Sequence, residues 1–234
     1  MAVKGISRKE LKEDRFIGLF SRILIAVSRR IGLFLGALGI VFLFGGVGLG
    51  LYLYYAKEEE RALDMLAEAD LFYRRALSGI SPELQGIPSG KGPLEVYQAL
   101  IVRYPRSRAA EEALFRQAVF HLRMARYGEA IKGFQGYLER YGRGRFRPLV
   151  ELGLAHAYEA QGDFPRAAET YSRLVTNHPQ DPWLGEAYMG LGRSFEALGK
   201  TKEALETYRK AASELANSNY GERVRRKVEL LQGS

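Results

Sequence analysis

The chain has 234 residues, a formal net charge of +8 and no cysteine. The missing thiols exclude disulfides, a cysteine nucleophile, a thiolate metal site and a lipid carried on an N-terminal cysteine. The charge is no nucleic-acid footprint, because residues 1–30 hold eight basic groups against three acidic ones and the rest of the chain is close to balanced at 27 against 24.

The first 30 residues form a basic head. Phe16, Ile17, Leu19, Phe20, Ile23, Leu24 and Val27 alternate at helical spacing with Arg15, Arg22, Arg29 and Arg30. This pattern predicts a short amphipathic helix, lying on a membrane surface or docked on another membrane protein.

Residues 31–56 are 26 positions without a charge. As a helix they reach roughly 39 Å, more than the ~30 Å hydrocarbon core of a bilayer. A cleaved secretory leader has an apolar region of only about 7–15 residues and a small-residue cleavage site, which is not seen after Tyr54 and Ala56. The stretch therefore reads as a retained transmembrane helix. Basic residues crowd its first flank, whereas Lys57 is followed by Glu58, Glu59 and Glu60. Positive charge favours the cytoplasmic side. The expectation is a single-pass inner-membrane protein with its N-terminus in the cytoplasm and residues 57–234 in the periplasm. Tyr52, Tyr54 and Tyr55 suit the outer interface. Gly32/Gly36 and Gly46/Gly50 have the G-x-x-x-G spacing that lets two membrane helices pack closely, although glycine is also common in spans generally.

Glu58 to Leu77 reads as a further helix, whose three leading glutamates favour a helix N-terminus. Ser78 to Pro93, "SGISPELQGIPSGKGP", reads as a long flexible loop.

The remainder repeats. "YGEAIKGFQGYLERYG" from Tyr127, "FPRAAETYSRLVTNHP" from Phe164 and "TKEALETYRKAASELA" from Thr201 place Ala130, Ala167 and Ala204 in one register, 37 residues apart. Phe134, Tyr171 and Tyr208 keep the same step, which extends back to Tyr97. Each segment is preceded by another with apolar residues at i, i+3/i+4 and i+7, and Gly162 and Gly199 provide turns between paired helices. Repeats are expected at about 111–147, 148–184 and 185–221, with a half repeat at 94–105. A cap helix at 222–232 turns Val224, Val228 and Leu231 inward and Arg223, Arg225, Arg226 and Lys227 outward.

This pattern resembles the tetratricopeptide repeat. Leu154, Ala155 and Tyr158 stand at its L-G-x-x-Y positions, and Ala167, Tyr171 and Pro179 at its A, F and P positions. Ala155 replaces glycine and Leu174 the second alanine, and the period exceeds the usual 34. The resemblance implies an all-α fold, a solenoid whose first helices line a concave groove. In that register the groove residues are Glu112, Phe115, Val119 and Leu122, then Leu149, Leu152, His156 and Glu159, then Glu186, Met189, Arg193 and Glu196. Two arrangements stay open: a free groove for a peptide, or a groove closed by the 58–77 helix.

No catalytic constellation stands out. His121, His156 and His178 share no metal-ligand spacing, and "GGVGLG" lies inside the span rather than after a strand. No enzyme, cofactor or metal is expected. "YGRGRFRP", Tyr141 to Pro148, is either a solvated loop or a contact for lipid headgroups or an acidic partner.

A basic cytoplasmic head, one span and an outward tetratricopeptide-like domain together resemble the ancillary SecYEG translocon subunit family. The resemblance covers nearly the whole chain, in architecture and repeat register. It implies protein partners: the SecYEG translocon and periplasmic chaperones or unfolded clients. The alternative is a scaffold of another envelope complex, in outer-membrane assembly, cell division or polysaccharide export.

Overall fold

The computed structural model describes residues 8–78 and 92–233, all in helices and short turns. The elements are α1 (Arg8–Leu77), α2 (Pro93–Arg103), α3 (Arg108–Arg123), α4 (Tyr127–Arg140), α5 (Arg147–Gln161), α6 (Phe164–Asn177), α7 (Leu184–Ala197), α8 (Thr201–Glu214) and α9 (Asn219–Gln232). The loop at 79–91 and the side-chain pattern of the basic head lie outside the described residues.

The chain divides into two units between Lys57 and Glu58. In the first unit, the side chains of Leu33, Phe42 and Phe44 are each more than two-thirds exposed. The helical segment beginning at Ile31 is long and apolar enough to cross a membrane, judged by length and composition. A Cβ added at Gly32, Gly36, Gly46 or Gly50 would meet nothing within 4 Å.

The second unit is a tetratricopeptide-like solenoid of helix pairs. Its boundaries follow from local chemistry. The Ser107 hydroxyl accepts from the Ala110 N–H at 3.0 Å, and the Asp163 carboxylate accepts from the Arg166 N–H at 3.1 Å. Both satisfy amides that a helix start leaves without partners. The turns within pairs are closed by the same pair of backbone bonds at a 37-residue step. Arg126, Asp163 and Lys200 donate to the carbonyls of His121, Tyr158 and Phe195, all at 2.9 Å. The residue before each donor is left-handed: Gly162 at φ 84°, Gly199 at φ 70° and, without glycine, Ala125 at φ 55°. This is the Schellman ending, where an L side chain is strained.

Both helices of each pair supply the core, and the second helices repeat one pattern within it. Tyr97, Phe134, Tyr171 and Tyr208 are fully buried, as are Ala130, Ala167 and Ala204 one turn before the last three. The ring of Phe134 lies where a Cβ on Gly153 would stand, 2.5 Å from Cζ, and the ring of Tyr171 does the same to Gly190 at 2.3 Å. The next pair can approach only because those positions are glycine. At the ends of the array the same register holds Arg116 and Lys227 instead.

The half repeat expected at 94–105 has a partner. Ala62, Leu66, Ala69 and Phe72 of α1 are buried in one cluster with Val96, Tyr97, Leu100 and Ile101 of α2 and Ala109, Ala110 and Ala113 of α3. Residues 58–77 thus serve as the first helix of a first pair, and α9 closes the other end with Val224 buried.

Candidate interaction surface

The expected groove residues fall into an aromatic end and a charged end. At the aromatic end Phe115 stacks on Phe146, with centroids 5.0 Å apart and planes 8° from parallel. The Arg145 guanidinium lies 4.5 Å over the Phe146 ring. Glu112 takes ion pairs from Arg116 and Arg145 on its two oxygens. Phe115, Val119 and Phe146 remain half-buried and, with Tyr73, Tyr97, Glu112 and Arg116, enclose a pocket of about 220 Å³.

The 58–77 segment packs against α2 and α3 at the start of the array. Asp70 accepts from Tyr97 at 2.8 Å and pairs with Arg116 at 2.6 Å. Tyr73 packs on Phe120 with centroids 5.6 Å apart. Tyr73 thereby becomes one wall of the aromatic pocket, which stays open beyond it.

The charged end is tied to itself. Arg193 donates to both Glu159 oxygens, at 2.7 and 3.0 Å, and stands 3.5 Å from Glu186. His156 lies 3.6 Å from the same Glu186 oxygen and edge-on to Tyr171. Lys227 reaches both oxygens of Glu196 at 3.0 and 3.1 Å. Burial opposes ionisation of Glu159, but hydrogen bonds from Arg193 and Tyr171 outweigh it and hold the carboxyl below its ordinary range. The neighbouring His156, with the Arg193 charge, outweighs burial and does the same to Glu186.

Not all of the expected stripe is surface. Leu152 and Met189 are only 7% and 5% exposed and belong to the core cluster, so they line no groove. Leu122 is half-buried and packs against that cluster, and Leu149 is half-buried. Phe115 holds the same register position as Leu152 and Met189, and it alone of the three keeps an exposed edge.

Sequence reasoning missed the bonds behind the repeat's tyrosines. The buried Tyr171 and Tyr208 hydroxyls donate to Glu159 and Glu196, each twelve residues earlier, and Tyr97 donates to Asp70. Where the aromatic is Phe134, the position twelve residues before it is Leu122. That co-variation along one chain was the available signal. Burial, followed by the neighbouring carboxylates, pushes all three phenols far above their ordinary range. Among the described residues no group of three His, Asp or Glu side chains could hold a metal ion.

The comparisons agree with this geometry. The tetratricopeptide repeat family profile matches residues 115–182 and 152–220. The fold resembles the TPR-like repeats of a candidate kinesin light chain from Podosopora anserina, with a TM-score of 0.56 at 13% identity, covering 74% of this chain and 86% of that one. It also resembles a MamA double mutant from strain RS-1, with a TM-score of 0.50 at 14% identity, covering 72% and 95%. At such identities the likeness concerns the fold alone. No protein with a curated description matches the sequence.

Proposed function

We propose that this tetratricopeptide-like solenoid is the outward domain of a single-pass membrane protein and holds a protein ligand on its concave face. A scaffold for protein–protein contacts is what the repeats support. The observation that carries the finer reading is the half-exposed Phe115–Phe146 stack beside Glu112, Arg116 and Arg145. An apolar side chain of an extended or helical segment fits against the exposed edge of that stack, in the pocket it shares with Tyr73 and Val119, and the surrounding charges are already paired. The polar row from Glu159 to Glu196 would then orient the segment through its remaining hydrogen-bonding capacity rather than through free charge.

The client we propose is an emerging secreted chain or a periplasmic chaperone, handled at the SecYEG translocon, with the N-terminus in the cytoplasm. The architecture of head, span and repeat domain supports this, together with the charge asymmetry across residues 31–56. No catalytic role is proposed.

The test is site-specific photocrosslinking in cells, with a photoreactive residue at Phe115 or His156 and another at Leu38. Capture of unfolded secreted chains at the groove and translocon subunits at Leu38 supports the reading. Capture of a division, export or outer-membrane assembly complex would replace it with a scaffold role elsewhere in the envelope.

A further inference from the structure

The first two turns that carry the chain from one helix pair to the next gather five arginines that, among the described residues, pair with no carboxylate. Arg103 ends α2, Arg106 and Arg108 bound the turn into α3, and Arg140 and Arg143 bound the turn out of α4. The two turns touch. Arg140 donates from Nη2 to the Pro105 carbonyl at 2.9 Å, and the Tyr141 hydroxyl donates to the same oxygen at 3.4 Å. Arg103 and Arg140 lie over the rings of Tyr104 and Tyr141, at 5.6 and 5.4 Å.

All five are exposed, and among the described residues none of their guanidiniums meets a carboxylate. Arg145, in the same turn as Arg143, is instead paired with Glu112, as Arg116, Arg147, Arg166 and Arg193 are with Asp or Glu. Exposed Glu60 and Glu139 lie on the flanking helices, so a cationic excess remains.

This edge is also fastened to the start of the domain. The N–H groups of Arg108 and Ala109 donate to the Glu59 carboxylate at 2.9 and 3.2 Å. Glu59 is the third residue after Ala56, the last of the uncharged stretch. Three residues of chain reach at most about 10 Å. The residue that holds the start of α3 is thus the second residue of the domain, a short length of chain from the apolar stretch.

We propose that this edge docks on anionic phosphate headgroups of the leaflet from which the span emerges. The inference rests on the membrane-anchored reading above. Guanidiniums bind phosphate oxygens in a bidentate fork, and free rather than internally paired arginines keep that fork available. Docking holds the first two pairs against the bilayer, while the aromatic pocket belongs to the concave row.

The test uses the full chain in lipid nanodiscs. Val102 is 68% exposed beside Arg103. Val102→Cys gives a single thiol in a chain with none, and it takes a fluorophore read against headgroup-attached quencher lipid. Quenching is expected to be stronger with phosphatidylglycerol added than in phosphatidylcholine alone, and to fall in high salt. Each basic residue near an anionic surface is worth roughly fivefold, so Arg103→Gln/Arg106→Gln/Arg143→Gln should lower the docked-to-undocked ratio roughly a hundredfold. Arg106→Gln/Arg143→Gln, which breaks no contact within the domain, should lower it less, by roughly twenty-five-fold. Equal quenching in neutral and anionic discs, or quenching that survives both variants, overturns the docking. Release of the chain from the discs by alkaline carbonate overturns the anchored reading itself, and the docking with it. Retention without a lipid-dependent difference overturns the docking alone.

Discussion

The second helix pair and the two that follow fill the same gap with different chemistry. In the pair α3–α4 the register positions hold Leu122 and Phe134, and the contact is apolar. In α5–α6 and α7–α8 they hold Glu159 with Tyr171 and Glu196 with Tyr208, joined by buried hydrogen bonds. Each carboxylate then engages a cation, Arg193 or Lys227. The difference teaches that the solenoid tolerates a polar link only where every member has a partner, as low-dielectric surroundings require. It also explains why the aromatic pocket sits at the first end and the self-paired charges at the other.

The largest effect should come from breaking the feature both regions share. A Cβ at Gly190 would stand 2.3 Å from Cζ of Tyr171, a ring with no room to move. Gly190→Ala should cost about 3 kcal/mol, seen as a lowered unfolding midpoint of the purified chain. Exchanging the two chemistries comes next. Phe134→Tyr places a hydroxyl in the pair whose register partner is Leu122 and should cost about 2 kcal/mol. Adding Leu122→Glu should recover part of this, and a double-mutant cycle without coupling would refute the pairing rule.

Acid should act through the charged end. Glu159 and Glu186 have folded values below their ordinary 4.5. The unfolded chain therefore binds more protons in that window, and stability falls as pH drops from above 4.5 through the lower folded values. Midpoints measured against pH should show a shallower acid loss in Glu159→Gln/Glu186→Gln than in the unaltered chain.

The smallest effects are near 1 kcal/mol and differ in sign. Tyr208→Phe should cost about 1 kcal/mol by removing one buried hydrogen bond. Ala125→Gly should add about 1 kcal/mol, because Ala125 holds the left-handed position that glycine fills in the two later turns. Differential scanning calorimetry resolves both.

The 37-residue step was legible because alanine and aromatic positions repeat along it, and the glycine turns marked two of the three hairpins. The turn at Ala125 carried no such mark, since a Schellman ending can strain an alanine when its backbone bonds are satisfied. The partner of α2 was hidden for a different reason. Residues 58–77 keep the small-then-aromatic spacing in Ala69 and Phe72 but stand off the 37-residue step, so their buried stripe of Ala62, Leu66, Ala69 and Phe72 reads as plain amphipathic helix. Within the groove, register placed Leu152 and Met189 on the same stripe as Phe115, but periodicity fixes an angle around a helix and not what the neighbouring pair covers. The Tyr–carboxylate links could be read from the twelve-residue spacing only once the paired helices were known to be antiparallel neighbours.

Glu59 carries a consequence for anyone wishing to cut this protein. Its carboxylate closes the start of α3 from 49 residues away, so the natural place to sever the repeats from the apolar stretch is not the glycine- and proline-rich sequence before α2. A fragment beginning there would leave two amides bare, strip Ala62 to Phe72 from their cluster and take Asp70 from Arg116 and Tyr97. A soluble piece that keeps its first pair must begin no later than Glu58.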